Sequence, residues 1–181
     1  MQVPPDVLES LTDRELSTVE ALARQCLDEG AALADVRGYT ADEMDAVYLL
    51  AHNAYQQRKY EDARRLFYFL AENDHTECRH WMGLAACLQL TGEHPEAIAA
   101  YGMAAMLDAT NPVPPLHACE CYLALHDLAA ARKALDAVEF VCETTGGEQA
   151  HAATLKRAAL LAAAVAGGGE DRNRNSDHAP S

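Results

Sequence analysis

His117, Cys119, Glu120 and Cys121 bring four potential metal ligands into one five-residue string, HACEC. His117 and Cys121 are four residues apart, so on a helix they share a face and could hold one cation between them. A closed zinc site needs four ligands, more than the pair on this helix face supplies. The string therefore reads as packed helix residues, and no metal is expected. Two adjacent acid pairs, Asp42-Glu43 and Glu61-Asp62, are the candidates for general acid–base work. Each pair falls in the first turn of an expected helix, where carboxylates complement the positive end of the dipole. Tyr55, Trp81 and Tyr122 would suit stacking on a flat cofactor, but Trp81 sits at a packing position of the repeat described below. A Gly-rich phosphate loop, a nucleophile elbow and an HExxH string are all absent from the sequence. Neither an enzymatic activity nor a cofactor is expected.

The elements that would position such residues are helices. Of 181 residues, 50% are hydrophobic but only 6% aromatic, so the apolar content rests on Ala and Leu, the two best apolar helix formers. The formal net charge of -14 argues against partners held through phosphates, whether nucleic acid or anionic membrane, since each such contact needs a cation. It suits basic partners, or the task of keeping an apolar client in solution. No apolar run approaches the length of a membrane span. The start, MQVPPDVLES, lacks the basic and apolar regions of a signal peptide. The six cysteines fall mostly within apolar helical patterns, where a thiol behaves as a small hydrophobe. Reduced thiols and a cytoplasmic location are expected.

An internal period organises the chain. Ala63, Ala97 and Ala131 stand 34 residues apart, followed four residues later by Phe67, Tyr101 and Leu135. Tyr60, His94 and Leu128 keep the same step, as do Leu50, Leu84 and Ala118, and Val47, Trp81 and Pro115. That step is the length of the tetratricopeptide repeat, two antiparallel helices (A and B) in which a small residue lets the helix axes approach. The fold expected is all-α: three tandem hairpins at about 44–77, 78–111 and 112–145, wound as a right-handed superhelix. Turns are expected at Arg58-Lys59, Thr91 to Pro95 and His126-Asp127. Arg58 and His126 stand where such turns commonly use Gly, so both positions call for an unusual backbone angle. A capping box at Thr12 opens an N-terminal helix with apolar residues at Leu16, Val19, Ala23, Cys26 and Leu27, within a segment 1–43. A second box, Thr40 to Glu43, opens the first repeat. An Ala-rich helix over 146–166 would cap the stack, and 167–181 reads as a disordered tail.

The strings YEDARRLF, HWMGLAACLQLTGEHPEAIAAY and PVPPLHACECYLAL resemble the class II type III secretion chaperones, over Ser10 to Thr145. These are small tetratricopeptide-repeat proteins that hold two hydrophobic translocator proteins in the bacterial cytoplasm before export. The resemblance implies a chaperone whose groove takes a short segment of a translocator, and a homodimer formed through the N-terminal region. Leu16, Val19, Ala23, Cys26 and Leu27 are the dimerisation candidates; against the first repeat in the same chain, that stripe would look identical. Helical spacing places Tyr48, His52 and Tyr55, then Arg79, Met82, Ala86 and Gln89, then Leu116, Glu120 and Leu123 along the A-helix face as the expected groove. A tetratricopeptide adaptor that scaffolds regulatory or assembly partners is the alternative function.

Overall fold

The computed structural model describes residues 37–176. The N-terminal helix expected around Leu16 to Leu27 and the last five residues lie outside the described residues. Within them the chain forms α1 (Ala41–Gln56), α2 (Tyr60–Asn73), α3 (Cys78–Thr91), α4 (His94–Leu107), α5 (Val113–Ala124), α6 (Leu128–Thr144) and α7 (Gly147–Ser176). No strand occurs among the described residues.

Local chemistry starts and stops these helices. Thr40 Oγ1 accepts from the Glu43 amide at 3.3 Å, while the Glu43 carboxylate accepts from the Thr40 amide at 2.9 Å, a reciprocal capping box. Those bonds from Thr40 hold the Glu43 carboxyl below its ordinary pKa. Pro95 opens α4 in the first turn, where its missing N–H removes no bond. The three A-helix ends are built alike. Arg58, Gly92 and His126 have φ of 60°, 85° and 58°. Their amides bond back to Tyr55, Gln89 and Leu123, and the next amides to Ala54, Leu88 and Tyr122. This is a Schellman stop, whose left-handed residue is usually Gly. The backbone angle expected at Arg58 and His126 is present at both.

Each helix packs chiefly on its neighbours in sequence, and α7 also reaches back to α5. The small residues at the period's centre, Ala63, Ala97 and Ala131, are fully buried. Phe67, Tyr101 and Leu135, one turn later, fill the space around them. One apolar core runs from α1 to α5, and a second joins α5, α6 and α7. Leu84 and Ala118 are buried, but the equivalent Leu50 is 60% exposed, because no earlier repeat covers it among the described residues. Trp81, expected in the core, is only partly buried, with its indole N–H donating to the His75 carbonyl at 2.9 Å. Helix α7 kinks at His151 and continues to Ser176, ten residues past the end expected from composition. A nucleated helix can propagate through polar sequence because each added residue gains a backbone bond.

Candidate functional site

The A helices α1 and α3 place their exposed sides together, and a cavity of ≈ 460 Å³ lies between them. Tyr48, His52, Tyr55, Arg79, Met82 and Ala86 line it, six of the ten residues expected there. A smaller cavity of ≈ 250 Å³ adjoins it through Tyr55, Met82 and Ala86, and adds Gln89 and Glu120. The two form one channel along the A-helix face.

Two side-chain ladders shape the channel. At the near end, Arg79 Nη2 pairs with Asp45 Oδ1 at 2.6 Å, and the guanidinium lies 4.7 Å from the Tyr48 ring centroid. Tyr48 also meets Phe67 edge-on at 5.8 Å and stacks on His52 at 6.3 Å. Phe67 reaches this surface from α2 because Gly83 has no side chain. A Cβ there would lie 2.3 Å from the Phe67 ring. At the far end, Gln89 Nε2 donates to Glu120 Oε2 at 3.0 Å, and the Tyr101 hydroxyl donates to Gln89 Oε1 at 2.7 Å. His117 Nδ1 lies 3.1 Å from the same Glu120 oxygen, and Arg157 of α7 pairs with the other. Burial raises the Glu120 pKa, but bonds from His117 and Gln89 and the charges of His117 and Arg157 outweigh it and hold the carboxyl low. Burial pushes the Tyr55 and Tyr101 hydroxyls up from the ordinary tyrosine value.

Leu116 and Leu123 are the exceptions. Leu116 is 4% exposed and belongs to the second core with Cys119, Ala131 and Leu135; Leu123 packs against that core. The groove placement of Leu116 is corrected for a physical reason: α7 lies over the third repeat and covers it. Phe67, Glu77, Cys78, Gly83, Asp108 and Asn111 line the channel without having been expected. Asp45 was also missed, although it stands one period before Arg79 with the opposite charge.

The ligand-type string of α5 is put to other use. His117 faces Glu120, whereas Cys119 and Cys121 are fully buried, with burial pushing both thiols up to about 11. The five described cysteines are all free. No group of three or more His, Cys, Asp or Glu placed to hold a metal ion occurs among the described residues. No helix there is long and apolar enough to cross a membrane.

A larger cavity of ≈ 570 Å³ opens on the B-helix side, lined by Tyr68, Trp81, Leu84, Leu88, Ala100 and Met103. A shallower one of ≈ 260 Å³ recurs a period later at Gly102, Pro115, Ala118, Tyr122 and Ala134. Recurrence at equivalent positions marks these as the furrow between successive B helices. Arg64, Arg65, Glu93 and Glu96 also line the larger furrow. The A-helix channel combines its apolar floor with Gln89 and Glu120, held by hydrogen bonds within it, the make-up of a peptide-binding cleft.

The tetratricopeptide repeat family model matches residues 44–75 and 80–111. The chain is 38% identical over 109 residues to the low calcium response locus protein H of Yersinia pestis, covering 60% of this chain and 65% of the relative. The match thus spans just under two thirds of that protein. With the chaperone protein SicA of Salmonella typhimurium the identity is 33% over 129 residues, covering 71% of this chain and 76% of SicA. The Yersinia enterocolitica type III secretion chaperone SycD, solved with a peptide of the translocator YopD, superposes with a TM-score of 0.65 at 32% identity, covering 70% of this chain and 94% of that one.

Proposed function

The chain belongs to the type III secretion translocator chaperones built on tetratricopeptide repeats, and from that membership we propose that its A-helix channel holds a segment of a hydrophobic translocator before export. The channel itself carries this reading. Tyr48, Tyr55, Phe67, Met82 and Ala86 offer apolar pockets, and His52, Arg79, Gln89 and Asn111 offer side-chain hydrogen bonds along the same line. An extended peptide needs both: spaced apolar anchors for affinity, and partners for a backbone that leaves water. SycD with its YopD peptide supplies the analogy.

The action is stoichiometric. A translocator carries apolar segments meant for a membrane, and the chaperone occupies one of its segments in the cytoplasm while the excess of acidic residues keeps the complex dissolved. No nucleotide is required, and the client leaves by competition at the export apparatus. A homodimer through Leu16, Val19, Ala23, Cys26 and Leu27 is part of the same reading.

The test is co-expression with each neighbouring gene product that bears long apolar segments. Wild type is compared with a Tyr48→Glu/Met82→Glu variant checked for a native helical spectrum. A soluble complex with wild type alone supports the channel. Capture by both moves the site elsewhere on the molecule, and capture by neither favours an adaptor.

A further inference from the structure

The repeat gives each channel position three copies. Tyr48, Met82 and Leu116 share one; His52, Ala86 and Glu120 a second; Tyr55, Gln89 and Leu123 a third. In repeats one and two all six line open channel. In repeat three the same positions meet α7. Leu116 and Leu123 share an apolar cluster with Leu155, Ala158, Leu161 and Val165, and Glu120 pairs with Arg157. The chain's own last helix thus lies where a client would lie one repeat earlier.

As a terminal helix it packs chiefly on one neighbour, α6. Among its described side chains only Ala158 and Val165 are buried, and Leu160 on its outer side is 68% exposed. The Arg157 side chain is 54% exposed, against 15% for Glu120. If Arg157 swings away, Glu120 keeps the Gln89 amide and the His117 ring nitrogen as partners. Opening therefore avoids the large penalty of a buried carboxylate left bare. An element with few buried contacts and a replaceable ion pair belongs to the low-stability end of a fold.

We propose that α7 is the end stop of the channel: latched by Arg157 on Glu120, it occupies the third repeat's share of the client face and sets the length of segment accepted. Released, it uncovers Leu116 and Leu123 as further apolar anchor sites. The proposal rests on reading this face as the client channel.

The first experiment uses no client, so the two readings fail separately. Cys119 and Cys142 lie in the cluster that α7 closes, and Cys87 and Cys121 lie in the other core. Dithionitrobenzoate is applied to the full-length native protein, and labelled sites are located by peptide mapping. Cys119 and Cys142 should react faster than Cys87 and Cys121 in wild type. Arg157→Glu should speed the first pair by about a further tenfold while leaving the second unchanged, a factor typical of reversing one partner of a semi-buried ion pair. Glu120→Lys/Arg157→Glu should restore the wild-type rate, and Arg157→Gln should give an intermediate one. All four thiols reacting together, in wild type and variants, would overturn the proposal, because α7 would then open only with the whole fold. A second readout is the client segment protected from protease in the co-expressed complex. It should lengthen with Arg157→Glu, and an unchanged segment despite faster labelling of Cys119 would remove the length-setting role.

Discussion

Arg58 and Gly92 hold the same place in successive turns, so exchanging their residue types measures one strain twice. Both have positive φ, and both close the preceding helix with the same pair of backbone bonds. An L-residue in the left-handed region costs about 1–2 kcal/mol, and glycine returns about 0.4–1 kcal/mol of this through the greater freedom of its unfolded chain. Arg58→Gly should then stabilise by roughly 0.5–1 kcal/mol. Gly92→Ala should destabilise by a similar amount, since its new Cβ meets nothing within 4 Å and only the backbone is strained. With a urea slope of about 2 kcal/mol/M for a protein of this size, the midpoints should move about 0.3–0.5 M in opposite directions. The assay is urea unfolding followed by far-ultraviolet circular dichroism, with equal slopes required in all three proteins. If Arg58→Gly leaves the midpoint in place or lowers it while Gly92→Ala still destabilises, the turns are not energetically equivalent and the argument from their shared geometry is wrong.

Gly83→Ala would put a Cβ 2.3 Å from Phe67, which is itself buried, so the ring or α3 must shift. A loss of about 1–3 kcal/mol in urea unfolding is expected, with weaker client capture; full stability with undisturbed capture would mean the close approach does not shape the channel. His80 is buried, with Nδ1 3.2 Å from the Asp74 carbonyl oxygen and Nε2 without a partner, and burial holds its pKa below the ordinary histidine value despite that bond. The unfolded chain then binds the proton more readily, so stability is full above the ordinary pKa of about 6.5 and falls as pH drops through it towards the lower folded value. His80→Leu should flatten the stability profile between about pH 7.5 and about 5.5, and an unchanged slope would assign that pH dependence to other groups.

How much could be read from the residues depended on whether one residue or two helices decide the outcome. The period was legible because Ala63, Ala97 and Ala131 each sit where only a small side chain lets two axes approach, and all three are fully buried. The left-handed turns at Arg58 and His126 were legible because one backbone angle is dictated by the hairpin, whatever side chain it carries. Leu116 was not. It occupies the position of Tyr48 and Met82, and nothing in its own repeat distinguishes it. What buries it is α7, an Ala-rich helix whose sequence carries no repeat signature and so does not state which face it will cover. Phe67 escaped for the opposite reason. Its register marks it as core, and it is buried, yet its ring also lines the channel because Gly83 opposite it supplies no side chain. Helical spacing assigns each side chain to a face, but whether that face stays open is decided by what packs against it. In this chain the channel's floor is set by a missing side chain at Gly83 and its end by α7, neither of which the A-helix register could reveal.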